Sequence, residues 1–206
     1  MNMISIFRSG FKSIKGLIKM GQREIRRHLQ KERQSAIRRF RKQKRLNSMA
    51  SPGRHGFILV LDHLKPAFNI GKIFRSADAF DAAEVHLIAT PFFDPAPAKG
   101  SFKWVPAKFH DIFRSCYDEL IDRRYALFAM DPAEGKDLPD VALPPQSAFI
   151  FGNEERGHRF NKGDYPEIRS LKIPQFGRVE SLNVSIAASI VMYEYVKQNG
   201  GGNNFL

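Results

Sequence analysis

Between Phe57 and Lys197 the chain switches repeatedly between two hydrophobic periods. "FILVLD" (57–62) is an unbroken apolar run closed by an acid, the pattern of a strand buried on both faces. "NIGKIFRSADAF" (69–80) changes to helical spacing, with Asn69 near its start. The exchange then recurs. A strand at "EVHLIA" (84–89) and a proline-rich loop (91–98) lead to a weak strand in "KWVPAKF" and a helix over 111–122. Strands follow at "YALFAMD" (125–131), "SAFIFGNE" (147–154) and "RSLKIP" (169–174), and a final helix runs from Asn183 to Lys197, stopped by "NGGG". This alternation predicts an α/β domain with a mostly parallel sheet flanked by helices. No internal repeat interrupts it.

The first 50 residues follow a different pattern. In residues 1–20, Ile4, Phe7, Phe11, Ile14 and Ile18 recur at helical spacing among Arg8, Lys12, Lys15 and Lys19. Such a basic amphipathic stretch could be a mitochondrial transit peptide, a membrane-surface helix or an arm that orders on RNA. Residues 22–45 carry only a thin apolar stripe, Ile25, Leu29, Ile37 and Phe40, which fits a solvated helix or disordered tail as well as an RNA grip. "NSMASPGRHG" (47–56) reads as a linker. The expected organisation is a basic, helical or disordered extension (1–46), a linker (47–56), an α/β domain (57–199) and a short tail (200–206).

Charge sharpens that division. The chain of 206 residues has a formal net charge of +12. Residues 1–50 hold 15 lysines and arginines against two acids, whereas residues 51–206 hold 18 against 19. A nearly neutral body with a cationic arm implies a polyanionic partner. Arg26, Arg27, Arg38, Arg39, Arg41 and Lys42 are the candidate RNA-binding residues. The lone Cys116 excludes an internal disulfide and fits a reducing compartment, with a bacterial cytoplasm expected and a mitochondrial matrix the alternative if residues 1–20 are a transit peptide. No apolar run reaches the roughly 18 residues needed to span a bilayer, so a membrane is not expected as partner.

Several familiar chemistries find no support. No G-x-G-x-x-G follows the first strand, and no P-loop or G-x-S-x-G elbow occurs. The six histidines show no H-x-x-x-H spacing, so no metal is expected. "DH" (62–63) reads as a loop-facing polar pair at a strand end. What remains is a set of three loops after strands: "FNIGKIFRSADAF" (68–80), "FGNEERGH" (151–158) and "IPQFGRVESLNVS" (173–185). In an open α/β sheet, ligands collect outside the carboxyl ends of the strands. Each loop alone admits a structural account, with Asn69 or Asn183 as helix caps and Gly152 and Gly157 as turn residues.

These three stretches resemble the motifs of the SpoU (TrmH-like) branch of the SPOUT superfamily of RNA methyltransferases. "NIGKIFRSADAF", "GNEERG" (152–157) and "IPQFGRVESLNVSIA" (173–187) match its three motifs in order, the third being long and specific. The resemblance covers roughly residues 57–197. It implies an S-adenosylmethionine-dependent enzyme that methylates a ribose 2′-hydroxyl in structured RNA, tRNA favoured over rRNA. It also implies a C-terminal trefoil knot and a homodimer whose active site is completed across the interface. By the same resemblance, Arg75, Asn69, Glu154, Ser181 and Asn183 would be catalytic. Gly152, Asn153, Glu154, Ile173, Gly177, Ser181, Leu182 and Asn183 would hold the cofactor. Arg75 is the family's candidate base, but a free guanidinium titrates near pH 12.5–13.8, so a clamp on phosphate is the better physical reading. The chain departs from the pattern at Asp81, where a glycine is common, and at Gln175, where methionine is usual; both are expected to alter packing or substrate fit. A catalytically silent RNA-binding protein on the same fold is the alternative.

Overall fold

A computed structural model describes residues 21–65 and 68–200. The amphipathic stretch at 1–20 and the tail from 201 lie outside the described residues. The elements are α1 (Gln22–Asn47), β1 (His55–Asp62), α2 (Phe68–Ala79), β2 (Ala82–Ile88), β3 (Ala107–His110), α3 (Phe113–Asp122), β4 (Ala126–Met130), β5 (Lys136–Asp137), β6 (Ser147–Phe151), β7 (Ile168–Lys172) and α4 (Val184–Asn199). Short 3-10 turns connect several of them.

The seven strands form one sheet in the order β3-β2-β1-β6-β4-β7-β5, and every neighbouring pair is parallel. Parallel sheets need both faces covered, which accounts for the unbroken apolar run of β1. Phe57, Leu59 and Leu61 pack on one face with Ile70, Ile73 and Phe74 of α2 and Val191 and Met192 of α4. Ile58 and Val60 pack on the other with Cys116 and Leu120 of α3. The predicted α/β architecture is therefore present. The strand expected over 147–154 stops at Phe151, because Gly152 begins a tight turn closed by paired hydrogen bonds between Asn153 and Gly157.

Two features escaped the sequence. The two-residue β5 is too short for any periodicity. Its neighbours make it unusual: β7 lies between β4 and β5, which only residues 131–135 connect. Gly135 spans that arch at φ 113°, and a Cβ there would sit 2.5 Å from the carbonyl carbon of Ser170. The chain of β7 thus runs directly beneath a bend that only glycine can make so closely.

The second feature is the docking of α1. Its helix, one of the two states expected for this stretch, runs over 26 residues and includes Asn47, the first residue of the expected linker. Phe40 is 5 % exposed, stacks on Phe102 and meets Phe93 and Phe109 edge-on in an aromatic cluster. Asn47 is buried; its amide donates to the carbonyls of Phe102 (2.7 Å) and Val105 (2.6 Å), and its oxygen accepts from Ala107 N–H (3.0 Å). The thin apolar stripe was enough to dock the helix because one aromatic and one satisfied amide carry the contact.

The Asp81 departure also has a local cause. Asp81 follows α2 in the left-handed region, φ 52°, where glycine costs least. Here its carboxylate accepts from Arg54 Nε at 2.6 Å, and that hydrogen bond holds its pKa below the usual carboxylate range.

Candidate functional site

All seven strands point the same way, so the loops after β1, β6 and β7 open on one edge of the sheet. There the segments after β4, β6 and β7, with the start of α4, enclose a cleft of about 500 Å³. Its walls are contributed by the segment after β4 (Met130 to Pro132), the 151–158 turn, residues 172–175, and Ser181, Leu182, Asn183, Val184 and Ala187. Phe151, Ile173 and Leu182 give it apolar surfaces.

The turn after β6 is built to approach the cleft closely. A Cβ on Gly152 would fall 2.5 Å from the backbone of Gly157, and Gly157 itself has φ 66°. Asn153 locks the turn to β1: its amide donates to the His63 carbonyl at 2.8 Å, while its oxygen accepts from Glu155 and Arg156 N–H. Asp62, fully buried, accepts from Arg159 N–H (2.7 Å) and bonds the His63 ring (2.6 Å). The "DH" pair therefore braces loops.

The three motifs meet through amides and a carboxylate. Asn69, near the start of α2, donates to Glu154 Oε1 at 2.9 Å, and Asn183 donates to Asn69 Oδ1 at 3.3 Å. Glu154 Oε2 accepts from Lys65 N–H at 3.2 Å. Asn183 caps α4 by accepting from Ser185 N–H (3.0 Å) and its hydroxyl (2.6 Å). Capping and catalytic readings of Asn183 are thus compatible, because its oxygen caps while its amide faces Asn69.

Two buried acceptors line the cleft without a protein partner: Gln175 Oε1 and His158 Nδ1. His158 donates from Nε2 to the Met130 carbonyl at 3.0 Å, which leaves Nδ1 as a bare lone pair. Burial lowers its pKa, against the raising effects of that bond and of Asp62, so the ring is neutral near pH 7. Such orphaned groups are what a nucleoside with hydroxyl and amine donors would satisfy. Gln175, which carried no assigned chemistry, and His158 and Asp131, which sequence reasoning passed over, therefore belong to the cleft. Only their place after neighbouring strand ends could have marked them.

Of the expected cofactor residues, Gly152, Asn153, Glu154, Ile173, Ser181, Leu182 and Asn183 line the cleft. Gly177 does not; it lies in the exposed part of the 173–183 loop beside Phe176, which is 98 % exposed. Arg75 is also outside the lining. It stands exposed on α2 and, among the described residues, forms no ion pair. On α1, Arg26, Arg27, Arg38, Arg41 and Lys42 are exposed, and Arg38, Arg41, Lys42 and Arg45 share one groove. Arg39 differs: it grips both oxygens of Asp94 at 3.1 and 3.2 Å, so its charge is already paired within the protein.

The described α4 is apolar nearly all round. Ala188, Val191 and Tyr195 are buried, yet Ile186, Ile190 and Tyr193 form an exposed stripe. A hydrogen bond between Ser76 and Ser189 (2.9 Å) places that helix against α2, the helix that bears Arg75.

Comparison with known proteins agrees with this geometry. The sequence profile of the family described as "SpoU rRNA Methylase family" matches residues 56–193. A tRNA (guanosine(18)-2′-O)-methyltransferase of Thermus thermophilus is 28 % identical over 145 residues, covering 68 % of this chain and 74 % of the relative. A 23S rRNA (guanosine-2′-O-)-methyltransferase of Bordetella pertussis is 30 % identical over 154 residues, covering 70 % of this chain but only 60 % of the relative. The solved SpoU methyltransferase AviRb of Streptomyces viridochromogenes, in complex with AdoMet, superimposes with a TM-score of 0.64 at 26 % identity, over 73 % of this chain and 64 % of that one.

Proposed function

The chain belongs to the SpoU rRNA methylase family, and we infer that it transfers a methyl group from S-adenosylmethionine to a ribose 2′-hydroxyl of tRNA, as a homodimer, at the cleft between β6, β7 and α4, as relatives named 2′-O-methyltransferases and an AdoMet-bound neighbour support. The observation that carries the reading is the Asn69 side chain, which bonds Glu154 and lies within reach of Asn183, so that one amide joins all three motifs.

The residues fit the donor. Phe151, Ile173 and Leu182 would flank an adenine, and Gln175 Oε1 and His158 Nδ1 would accept from its polar edge or ribose. S-adenosylmethionine supplies an electrophilic methyl group on a cationic sulfur. Glu154 and Asn183 hold Asn69 so that the cleft entrance keeps its shape without substrate, and such preorganised positioning is where most of the rate gain arises. Arg75, without an acidic partner among the described residues, is suited to bind the phosphate beside the target ribose through charge-assisted hydrogen bonds. The exposed Ile186, Ile190 and Tyr193 stripe supports a second copy packing on α4, which would bring Arg75 of one copy toward the cleft of the other. Passage of β7 beneath the 131–135 arch supports the knotted C-terminal segment. The exposed cations of α1 support a sequence-independent grip on the phosphate backbone.

The test is methyl transfer from labelled S-adenosylmethionine to tRNA and, separately, to rRNA. Expected is label in tRNA that survives alkaline hydrolysis as a dinucleotide, because a methylated 2′-oxygen can no longer cleave the adjacent phosphodiester. Label in rRNA alone would overturn the substrate assignment. Absence of transfer with RNA binding intact would point instead to a silent RNA-binding protein.

A further inference from the structure

Away from the cleft, β2 carries two buried polar side chains in an otherwise apolar strand, Glu84 and His86. Both face α3. His86 and Cys116 are completely buried, and the side chain of His110, at the end of the edge strand β3, is 10 % exposed. His86 Nδ1 lies 3.3 Å from Cys116 Sγ and 3.1 Å from His110 Nε2, and the three atoms fall within 4.8 Å of one another. The two imidazoles stack with centroids 5.0 Å apart.

We propose that His86 Nδ1, His110 Nε2 and Cys116 Sγ form a binding site for a zinc-class divalent transition metal, separate from the methyl-transfer cleft. None of the three residues lines that cleft. Ligand-to-ligand spacing carries the proposal. With metal–nitrogen bonds of about 2.0–2.1 Å and a metal–sulfur bond of about 2.3 Å, a tetrahedral ion needs roughly 3.3 Å between two nitrogens and about 3.6 Å between nitrogen and sulfur. The two spacings from His86 Nδ1, 3.1 and 3.3 Å, are within a few tenths of an ångström of those edges, and the third lies within 4.8 Å. Two imidazoles and a thiolate also form the donor set zinc prefers.

The surroundings orient the ligands. His86 Nε2 is 2.8 Å from Glu84 Oε2, so Nε2 carries the hydrogen and the Nδ1 lone pair is directed at His110 and Cys116. A carboxylate behind a ligating histidine fixes its tautomer and strengthens it as a donor. Glu84 is itself gripped at both oxygens by Arg123, at 2.8 and 2.9 Å. The positive neighbours Lys108 and Arg123 are balanced by Glu84 and Glu119. Glu119 Oε2 stands 4.0 Å from His110 Nε2 on the accessible side, where a water would complete the coordination. The sulfur binds such an ion as thiolate, so metal entry would release the Cys116 proton. The ion would tie β2, β3 and α3 together at the sheet edge.

Cobalt(II) titration of tag-free, chelator-treated full-length protein tests this, with zinc competition to obtain affinity. Expected is one ion per chain, with tetrahedral visible bands and a thiolate-to-cobalt charge-transfer band. That band should vanish in Cys116→Ser, and His110→Ala should weaken binding at least tenfold. Glu84→Gln should weaken it roughly 10–100-fold. Zinc should raise the melting temperature of the wild type but not of His110→Ala, a comparison that stands even if a core variant fails to fold. Absence of saturable cobalt or zinc binding, or binding indifferent to both Cys116→Ser and His110→Ala, overturns the site.

Discussion

Asn69 and Glu154 lie 85 residues apart in sequence and are joined by a 2.9 Å hydrogen bond at the mouth of the cleft. The pair couples the start of α2 to the turn after β6, and Asn183 couples both to the cap of α4. Asn69→Ala should therefore loosen the cleft without unfolding the protein, since the pair is solvent-exposed and its loss costs about 1 kcal/mol. Methyl transfer should fall at least a hundredfold while the melting temperature moves little. A variant turning over at the wild-type rate would remove Asn69 from the site.

Arg75 gives a second, separable outcome. Because it lies outside the cleft lining, Arg75→Ala should leave S-adenosylmethionine affinity unchanged by calorimetry and abolish transfer to RNA. Arg75→Lys keeps the charge but loses the forked geometry, so partial activity is expected.

The α1 cations predict a salt effect. Replacing Arg38, Arg41, Lys42 and Arg45 with glutamine should weaken RNA binding and flatten its dependence on salt, as each lost phosphate contact removes released counterions. Filter binding at several salt concentrations reads both. Arg39→Gln belongs to another class, since Arg39 already pairs Asp94. It should act on stability more than on the salt slope.

Truncation of the whole extension would confuse this test, because α1 is part of the body. Phe40→Ala removes a ring from a packed aromatic cluster and should cost about 3–5 kcal/mol in denaturant unfolding. Asn47→Ala strands two carbonyls and one N–H, with an expected cost of about 1–3 kcal/mol. Unfolding midpoints unaffected by either change would mean that α1 is not docked in solution.

His158 sets a pH dependence of definite sign. Burial lowers its folded pKa, with Asp62, Asp131 and Lys162 as its charged neighbours. A depressed folded pKa means that the unfolded chain binds the proton first as pH drops. The stability contribution is complete above the unfolded value near 6.5 and is lost as pH falls through the folded value. Unfolding midpoints at pH 5.5 and 7.5 should differ less in His158→Gln than in wild type. An equal difference in both would assign the effect elsewhere.

Much of the molecule was legible in the chain itself, for physical reasons that can be named. A strand covered on both faces must be apolar throughout, so "FILVLD" declared its position. Glycines at 152 and 157 and the Ser-Leu-Asn before α4 marked the loops, because close backbone approach and helix capping tolerate few residue types. Tertiary structure alone decided what has no local pattern. The two-residue β5 exists only because β7 offers it a partner. Arg39 is paired because Asp94, 55 residues away, is folded beside it. His86, His110 and Cys116 share no motif spacing, since they arrive from two strands and a helix. Periodicity records which face of an element is buried, whereas a site assembled across elements depends on strand order, which arises only when the whole sheet forms.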